Sequence, residues 1–139
     1  MAHENAEKLR FAYEAFARGD VVGALRDMSE DCVWHSLGHG PLAGDYLGKD
    51  AITDFLARFV QITAGTARFE IVSILADEDW ACLITQATAT VEDQPMTGLD
   101  VHVYRLCDGQ VTEGWFYVQD QLAADNLMMM AQAHLATAS

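Results

Sequence analysis

The spacing of apolar positions changes character halfway along the chain. Over residues 4 to 18, ENAEKLRFAYEAFAR, the residues Leu9, Ala12, Tyr13, Phe16 and Ala17 recur at three- and four-residue intervals, with charges between them. That period predicts an amphipathic helix. Gly19 supplies a stop, and Asp20 stands where an N-cap is wanted. The next run, VVGALRDMSE, predicts a second short helix that turns Val22, Leu25 and Met28 inward. DCVWHS then reads as a strand, and the glycines of VWHSLGHGPLAGDYLG, residues 33 to 48, predict a compact loop stiffened by Pro41. KDAITDFLARFVQIT is a third helix, with Ile52, Phe55, Leu56, Phe59 and Val60 along its apolar side.

Beyond Gly65 the period shortens to two. ARFEIVSILA, WACLITQATATV, MTGLDVHVYRL and QVTEGWFYVQ are rich in β-branched and aromatic residues. Short polar turns, DED, EDQP and CDG, separate them in hairpin fashion, and Asp108-Gly109 is the strongest hairpin signal in the chain. The tail, LAADNLMMMAQAHLATAS, suits a fourth helix with Leu127, Met130, His134 and Leu135 on one side. Helices followed by a meander of long strands predict an α+β fold, with helices packed on one face of a strongly curved antiparallel or mixed sheet. Such a sheet, bent over a helix, leaves a conical pocket, which is the default ligand site. Val72, Ile74, Leu83, Val101 and Val103 cannot all face helices on one side, so a second apolar sheet face needs covering.

Composition narrows the classes. A chain of 139 residues predicts one domain over 1–139, with its core at about 5–126 and a C-terminal tail or helix at 121–137. No apolar run is long enough for a membrane span, and MAHENAEKLR lacks the basic-then-apolar order of a signal peptide, which predicts a cytoplasmic protein. A net charge of −13 with only eight scattered basic residues argues against nucleic acid and anionic membranes as partners. The three cysteines, Cys32, Cys82 and Cys107, have no metal-ligand spacing and predict buried free thiols. His35 and His39 stand four apart, but on a stretch that is not helical and offers no third ligand, so no metal is expected.

Two long segments carry a family resemblance. AYEAFARGDVVGALRDMSEDCVWH followed by GPLAGDYLGKDAI, and later VHVYRLCDGQVTEGWFYVQDQ, resemble the SnoaL-like branch of the nuclear-transport-factor-2-like superfamily. The resemblance spans roughly residues 5 to 126 and implies the cystatin-like roll with its conical pocket. It also implies a homodimer joined through the sheet face. The superfamily includes steroid isomerases, polyketide cyclases, limonene-type epoxide hydrolases, dehydratases and non-catalytic binding domains, so function has to be argued from the site.

By analogy with the steroid isomerases, Ser36 falls where those enzymes carry a catalytic aspartate, Ala12 where they carry a tyrosine, and His102 where they carry a second acid. That constellation is therefore not reproduced, although a shift of one residue would turn Tyr13 inward. Strand alternation puts Asp100, His102 and Tyr104 on one face. His102 is the first catalytic candidate, since an imidazole transfers protons near pH 7 without large pKa tuning. Asp100 is placed to orient it, although residues two apart on a strand lie about 6 to 7 Å apart at Cα. Asp120 is the second candidate, in the region where polyketide cyclases carry an acid/base aspartate, and its alternative role is to cap the tail helix. Tyr13, Trp34, Phe55, Phe59 and Trp115 are expected as pocket walls, Ser36 and Tyr104 as pocket-side polar groups, and His39 and Tyr46 at the rim.

Three functions follow. One is a cofactor-independent isomerase or cyclase acting on a small apolar polyketide-, terpene- or steroid-like molecule. Another is a non-catalytic binding or structural dimeric domain, its cavity filled by the flexible methionines of LMMM. A minor third is an epoxide hydrolase of the limonene type, which would need Arg105 between Asp100 and Asp120; alternation puts Arg105 and Asp100 on opposite faces.

Overall fold

The computed structural model describes residues 3–138. Its elements run α1 (Glu4–Ala17), α2 (Val21–Ala24), β1 (Met28–Ser36), β2 (Gly44–Leu47), α3 (Gly48–Ile62), β3 (Arg68–Ala76), β4 (Trp80–Val91), β5 (Gln94–Cys107), β6 (Gln110–Tyr117) and α4 (Gln121–Ala138). One six-stranded sheet has the order β2-β1-β6-β5-β4-β3. It is mixed: β1 runs parallel to β6, and every other neighbouring pair is antiparallel. The α+β class expected from the change of period is therefore the class observed.

Local chemistry sets the boundaries. Asp20 caps α2, its carboxylate accepting the Gly23 N–H at 2.8 Å. The hairpins turn on residues with positive φ, Glu92-Asp93 (53° and 60°) and Asp108-Gly109 (50° and 78°). Two consecutive left-handed residues twist in the sense of the flanking strands, so both connections can be this tight.

Two boundaries differ from expectation. The second helix stops at Ala24 and Met28 already belongs to β1, so Val22 faces solvent while Leu25 and Met28 are buried. The parallel ladder to β6 explains the switch, since Met28 pairs with Val111 and the Val111 N–H donates to the Asp27 carbonyl at 2.8 Å. The glycine-rich segment is also not loop throughout. Gly44–Leu47 forms an edge strand whose Tyr46 pairs with Trp34. Among the cysteines only Cys32 is buried; Cys82 is half-buried and Cys107 exposed, because the β5–β6 hairpin carries it into solvent. All three thiols are free.

The core lies between the inner sheet face and α1 and α3, around Leu9, Ile52, Leu56, Leu83, Leu106 and Val111. Each such side chain contributes about 1.5 to 3 kcal/mol when fully buried. Ile74 and Leu83 turn into this core, whereas Val72 (60% exposed) lies on the outer face and Val101 and Val103 are half-buried. A smaller cluster around Leu42, Ile62, Val91 and Ala131 seats α4.

At the centre of the sheet, Gly114 faces Tyr104 across the β5–β6 ladder. A Cβ there would lie 3.1 Å from the tyrosine ring and 3.3 Å from Trp34 Cδ1. Overpacking of this kind costs about 1 to 3 kcal/mol. Gly114→Ala is therefore expected to lower the unfolding free energy by that amount, seen as a lower urea midpoint with an unchanged slope, whereas Gly65→Ala, with nothing near its Cβ, tests only backbone strain.

Candidate functional site

The helices do not fill the concave side of the sheet. A cavity of about 400 Å³ remains, walled by β5, β6, β4, α1 and α3, with α4 across its mouth. Its sides are aromatic. The His102 ring sits 5.1 Å from Phe116 and 5.4 Å from Phe69, both edge-on, and Trp34 packs between Phe55 and Phe116.

At the floor, three buried polar groups form a chain. The Tyr13 hydroxyl is hydrogen-bonded to His102 Nδ1 and, at 2.7 Å, to the Tyr104 hydroxyl. Tyr104 is 2% exposed, and among the described residues its hydroxyl has no other partner, so we assign its O–H as donating to Tyr13. The Tyr13 proton is then directed at Nδ1 of His102. Nδ1 is therefore an acceptor, and the ring proton sits on Nε2, the nitrogen without a protein partner. Ionisation does not disturb this order. Burial pushes His102 down to about 4 and pushes both tyrosines up, so at neutral pH the imidazole is neutral and the phenols keep their protons. Titration near pH 7, expected of His102 from its residue type, is thus overturned by desolvation. Tyr13 provides what the shift of one residue would require: Ala12 is buried beside it, and the phenol reaches inward.

Further up the wall, Asp100 is 6% exposed. Its Oδ1 accepts the Gln119 N–H at 3.1 Å, and its Oδ2 has no partner among the described residues. Burial raises its pKa, and the Gln119 bond partly offsets that. No bond joins it to His102. Asp120 stands exposed at the mouth, where its carboxylate accepts the Ala123 N–H at 3.1 Å and caps α4. The helix-capping role is thus present in the geometry, with Asp120 still lining the cavity.

The remaining expected residues divide. Tyr13, Trp34, Ser36, Phe55, Phe59 and Tyr104 line the cavity. Trp115 does not: the pairs Gly114–Tyr104 and Phe116–His102 set the inward phase of β6, so Trp115 points outward and stacks 5.3 Å from His35. His39 is exposed and contributes only its backbone N–H. Tyr46 packs its ring 4.6 Å from Phe55 and donates to the Leu42 carbonyl, behind the wall rather than at the rim. His35 lies on the outer face, bonded to Asp45 and Glu113 at 2.6 Å each. Arg105 also lies outside, 6.0 Å from the Trp80 ring: the β5–β6 register shifts between Arg105 and Leu106, but the unbroken β4–β5 register keeps Arg105 on the outer face. Among the described residues no three His, Cys, Asp or Glu groups converge as metal ligands.

Phe69 alternates with Ile71, so its inward face is legible in the sequence; that Phe116 faces His102 follows from the β5–β6 register. Asp125 had no sequence signal at all. It is buried on α4 and accepts the His39 N–H and the Gln121 side-chain amide, both at 2.8 Å. A Cβ on Gly38 or Gly40 would lie 2.6 or 2.9 Å from its oxygens. Those glycines let the loop close around the carboxylate and hold α4 over the mouth.

A family model described as the SnoaL-like domain matches residues 9–114. Among solved structures, Bal32a from a soil-derived mobile gene cassette is 28% identical, covers 90% of this chain and 96% of its own, and superposes with a TM-score of 0.84. TerC, co-crystallised with polyporic acid, is 24% identical over 91% of this chain and 98% of its own, with a TM-score of 0.80. A protein from Jannaschia sp. CCS1, provisionally assigned as a SnoaL-like polyketide cyclase, is 16% identical over 91% and 92%, with a TM-score of 0.75. The last two likenesses are of fold. No curated protein matches the chain.

The neutral imidazole makes stability depend on pH in a defined direction. In the unfolded chain His102 binds a proton near its ordinary value of 6.5, and in the folded protein only near about 4. As pH falls between these values the unfolded state gains the proton first, so stability falls. The full effect is about 3 kcal/mol, complete below the lower value. His35 acts oppositely: burial pulls its pKa down, but the Asp45 and Glu113 carboxylates outweigh this and raise it, so its contribution is present at low pH and lost as pH rises. The difference in unfolding free energy between wild type and His102→Gln, followed from pH 7.5 to 4, isolates the His102 slope. A flat difference would show that the imidazole is not buried neutral.

Proposed function

The chain belongs to the SnoaL-like domain family, and from that premise we propose that it binds a small apolar molecule and carries out cofactor-independent acid/base chemistry on it. The reaction class is isomerisation or ring closure of a polyketide-, terpene- or steroid-like carbonyl compound. One observation carries this reading: the chain from Tyr104 through Tyr13 to His102, which leaves an Nε2–H as the free donor at the floor of an apolar cavity.

A donor held there meets the oxygen of a bound carbonyl. Charge developing on that oxygen as a neighbouring C–H bond breaks is stabilised by a donor already in place, with no water to reorganise. Being neutral, His102 accepts the Tyr13 bond at Nδ1 and donates from Nε2 at the same time. Tyr13 holds the tautomer and the ring orientation. A carboxylate must take the proton from carbon and return it elsewhere. Asp120, at the mouth of the cavity, is the candidate for this step, and Asp100, buried with one oxygen unpaired, lies on the same strand face as His102.

The second reading is a receptor of the same fold with no turnover. It is favoured by the capping bond that occupies Asp120 and by Leu127 and Met128, which reach into the cavity from α4. In either case the exposed Val72, Leu75, Trp80, Leu99 and Tyr117 of the outer sheet face suit a second copy of the chain, and we read the assembly as a homodimer. Among the described residues no helix is long and apolar enough to cross a membrane, in keeping with a cytoplasmic site of action.

The test is deuterium exchange α to the carbonyl of apolar cyclic ketones, followed by NMR. Wild type is expected to exchange at least one of them faster than buffer. His102→Ala should lose about 10²- to 10³-fold, the usual effect of removing one such donor, and Tyr13→Phe should lose less. Ketones that bind without exchange above buffer would leave the receptor in the enzyme's place.

A further inference from the structure

Charge is distributed unevenly around the cavity. Three aspartates line it, Asp100, Asp120 and Asp125, and no lysine or arginine does among the described residues. Two of the three are accounted for by the protein itself. Asp125 is saturated by the loop and by Gln121, and Asp120 caps α4 in contact with solvent. Asp100 is different. It is buried, it has no cation partner, and only one of its oxygens accepts a bond. Gly98 leaves room for the bonded oxygen and its partner, since a Cβ there would lie 3.1 Å from Asp100 Oδ1 and 3.3 Å from Gln119 Cβ.

Among the described residues, the polar side-chain atoms sealed off without a partner are Asn5 Oδ1, Ser29 Oγ and Trp34 Nε1; Asp100 Oδ2 is not one of them, so its lone pairs are open to a donor that enters the cavity. The group two residues along the same strand face, His102, presents a donor into the same space. The wall thus offers an acceptor at one point and a donor at another, about 6 to 7 Å apart at Cα. A ligand matched to both carries a hydroxyl toward Asp100 and an oxygen acceptor toward His102. A ligand bearing its own carboxylate would meet an uncompensated negative charge at short range, with little water between to screen it.

We infer that Asp100 is the specificity residue of this cavity: its carboxylate accepts a hydrogen bond from a hydroxyl of a neutral ligand and excludes ligands that carry a carboxylate. The inference rests on the proposed ligand-binding role of the cavity and adds the class of molecule it takes. The bond to the Gln119 N–H gives Asp100 a structural duty as well, tying β5 to the segment that leads into α4. Asp100→Asn keeps an oxygen for that duty and removes the charge.

The experiment compares three probes of one shape, 2-naphthol, 2-methoxynaphthalene and 2-naphthoate, titrated against the full chain by calorimetry and by quenching of tryptophan fluorescence. Wild type is expected to bind 2-naphthol roughly ten- to a hundredfold more tightly than either of the others, the span of one hydrogen bond to a charged acceptor. In Asp100→Asn the preference over 2-naphthoate should collapse to within a few-fold, while Asp120→Asn should retain most of it. Equal wild-type affinity for 2-naphthol and 2-naphthoate would overturn the inference without need of any variant. So would a preference that survives Asp100→Asn, or one that disappears in Asp120→Asn instead. If the neutral probes bind without discrimination, the cavity remains a ligand site and only the role of Asp100 falls. If none of the three binds, the ligand-site reading fails first and takes this inference with it.

Discussion

The hydroxyl of Tyr104 is buried at the centre of the sheet with Tyr13 as its one partner among the described residues, and the polar chemistry of the cavity floor takes its direction from that bond. A phenol that must donate to one neighbour makes that neighbour donate onward, and the sequence of donations ends on the imidazole of His102. Without Tyr104, the Tyr13 hydroxyl and the ring could exchange roles, and either nitrogen could carry the proton. The same bond joins α1 to β5 across the cone. Helix position, tautomer and donor direction are thereby coupled.

Two glycine placements make room for this arrangement by the same physical means. Gly114 lets the Tyr104 ring lie flat against β6, and Gly38 and Gly40 let the rim close on the Asp125 carboxylate. In both cases the missing side chain is space for a neighbour distant in sequence. The rim glycines are therefore part of the attachment of α4, beyond their freedom of φ.

The two faces of the sheet are separated by a single residue step. Phe116 points into the cavity against His102, and Trp115 points out against His35. A slip of one residue in β6 would exchange an apolar wall for an exposed tryptophan. The outer face carries its own ordered cluster, with His35 bonded to two carboxylates under Trp115. The inner face has polar groups that bond one another and stop short of their full capacity, the feature on which the proposed ligand-binding role rests.

Local pattern determined most of the fold. The helical period of residues 4 to 18 and 49 to 63, the alternation after Gly65 and the Asp108-Gly109 turn follow from sterics and burial within a few residues, so α1, α3 and the β3–β6 meander were legible. Alternation likewise placed Asp100, His102 and Tyr104 on one face. The tertiary structure alone decided what those residues do. Whether Met28 continues a helix or begins a strand depends on Val111, more than eighty residues away. The phase of β6, which removes Trp115 from the cavity, depends on its register with β5. The neutrality of His102 is a consequence of desolvation, and its tautomer of a hydroxyl on another strand position bonded through a helix. Residue type sets what a group can donate or accept; only packing sets which of its partners remain for a ligand.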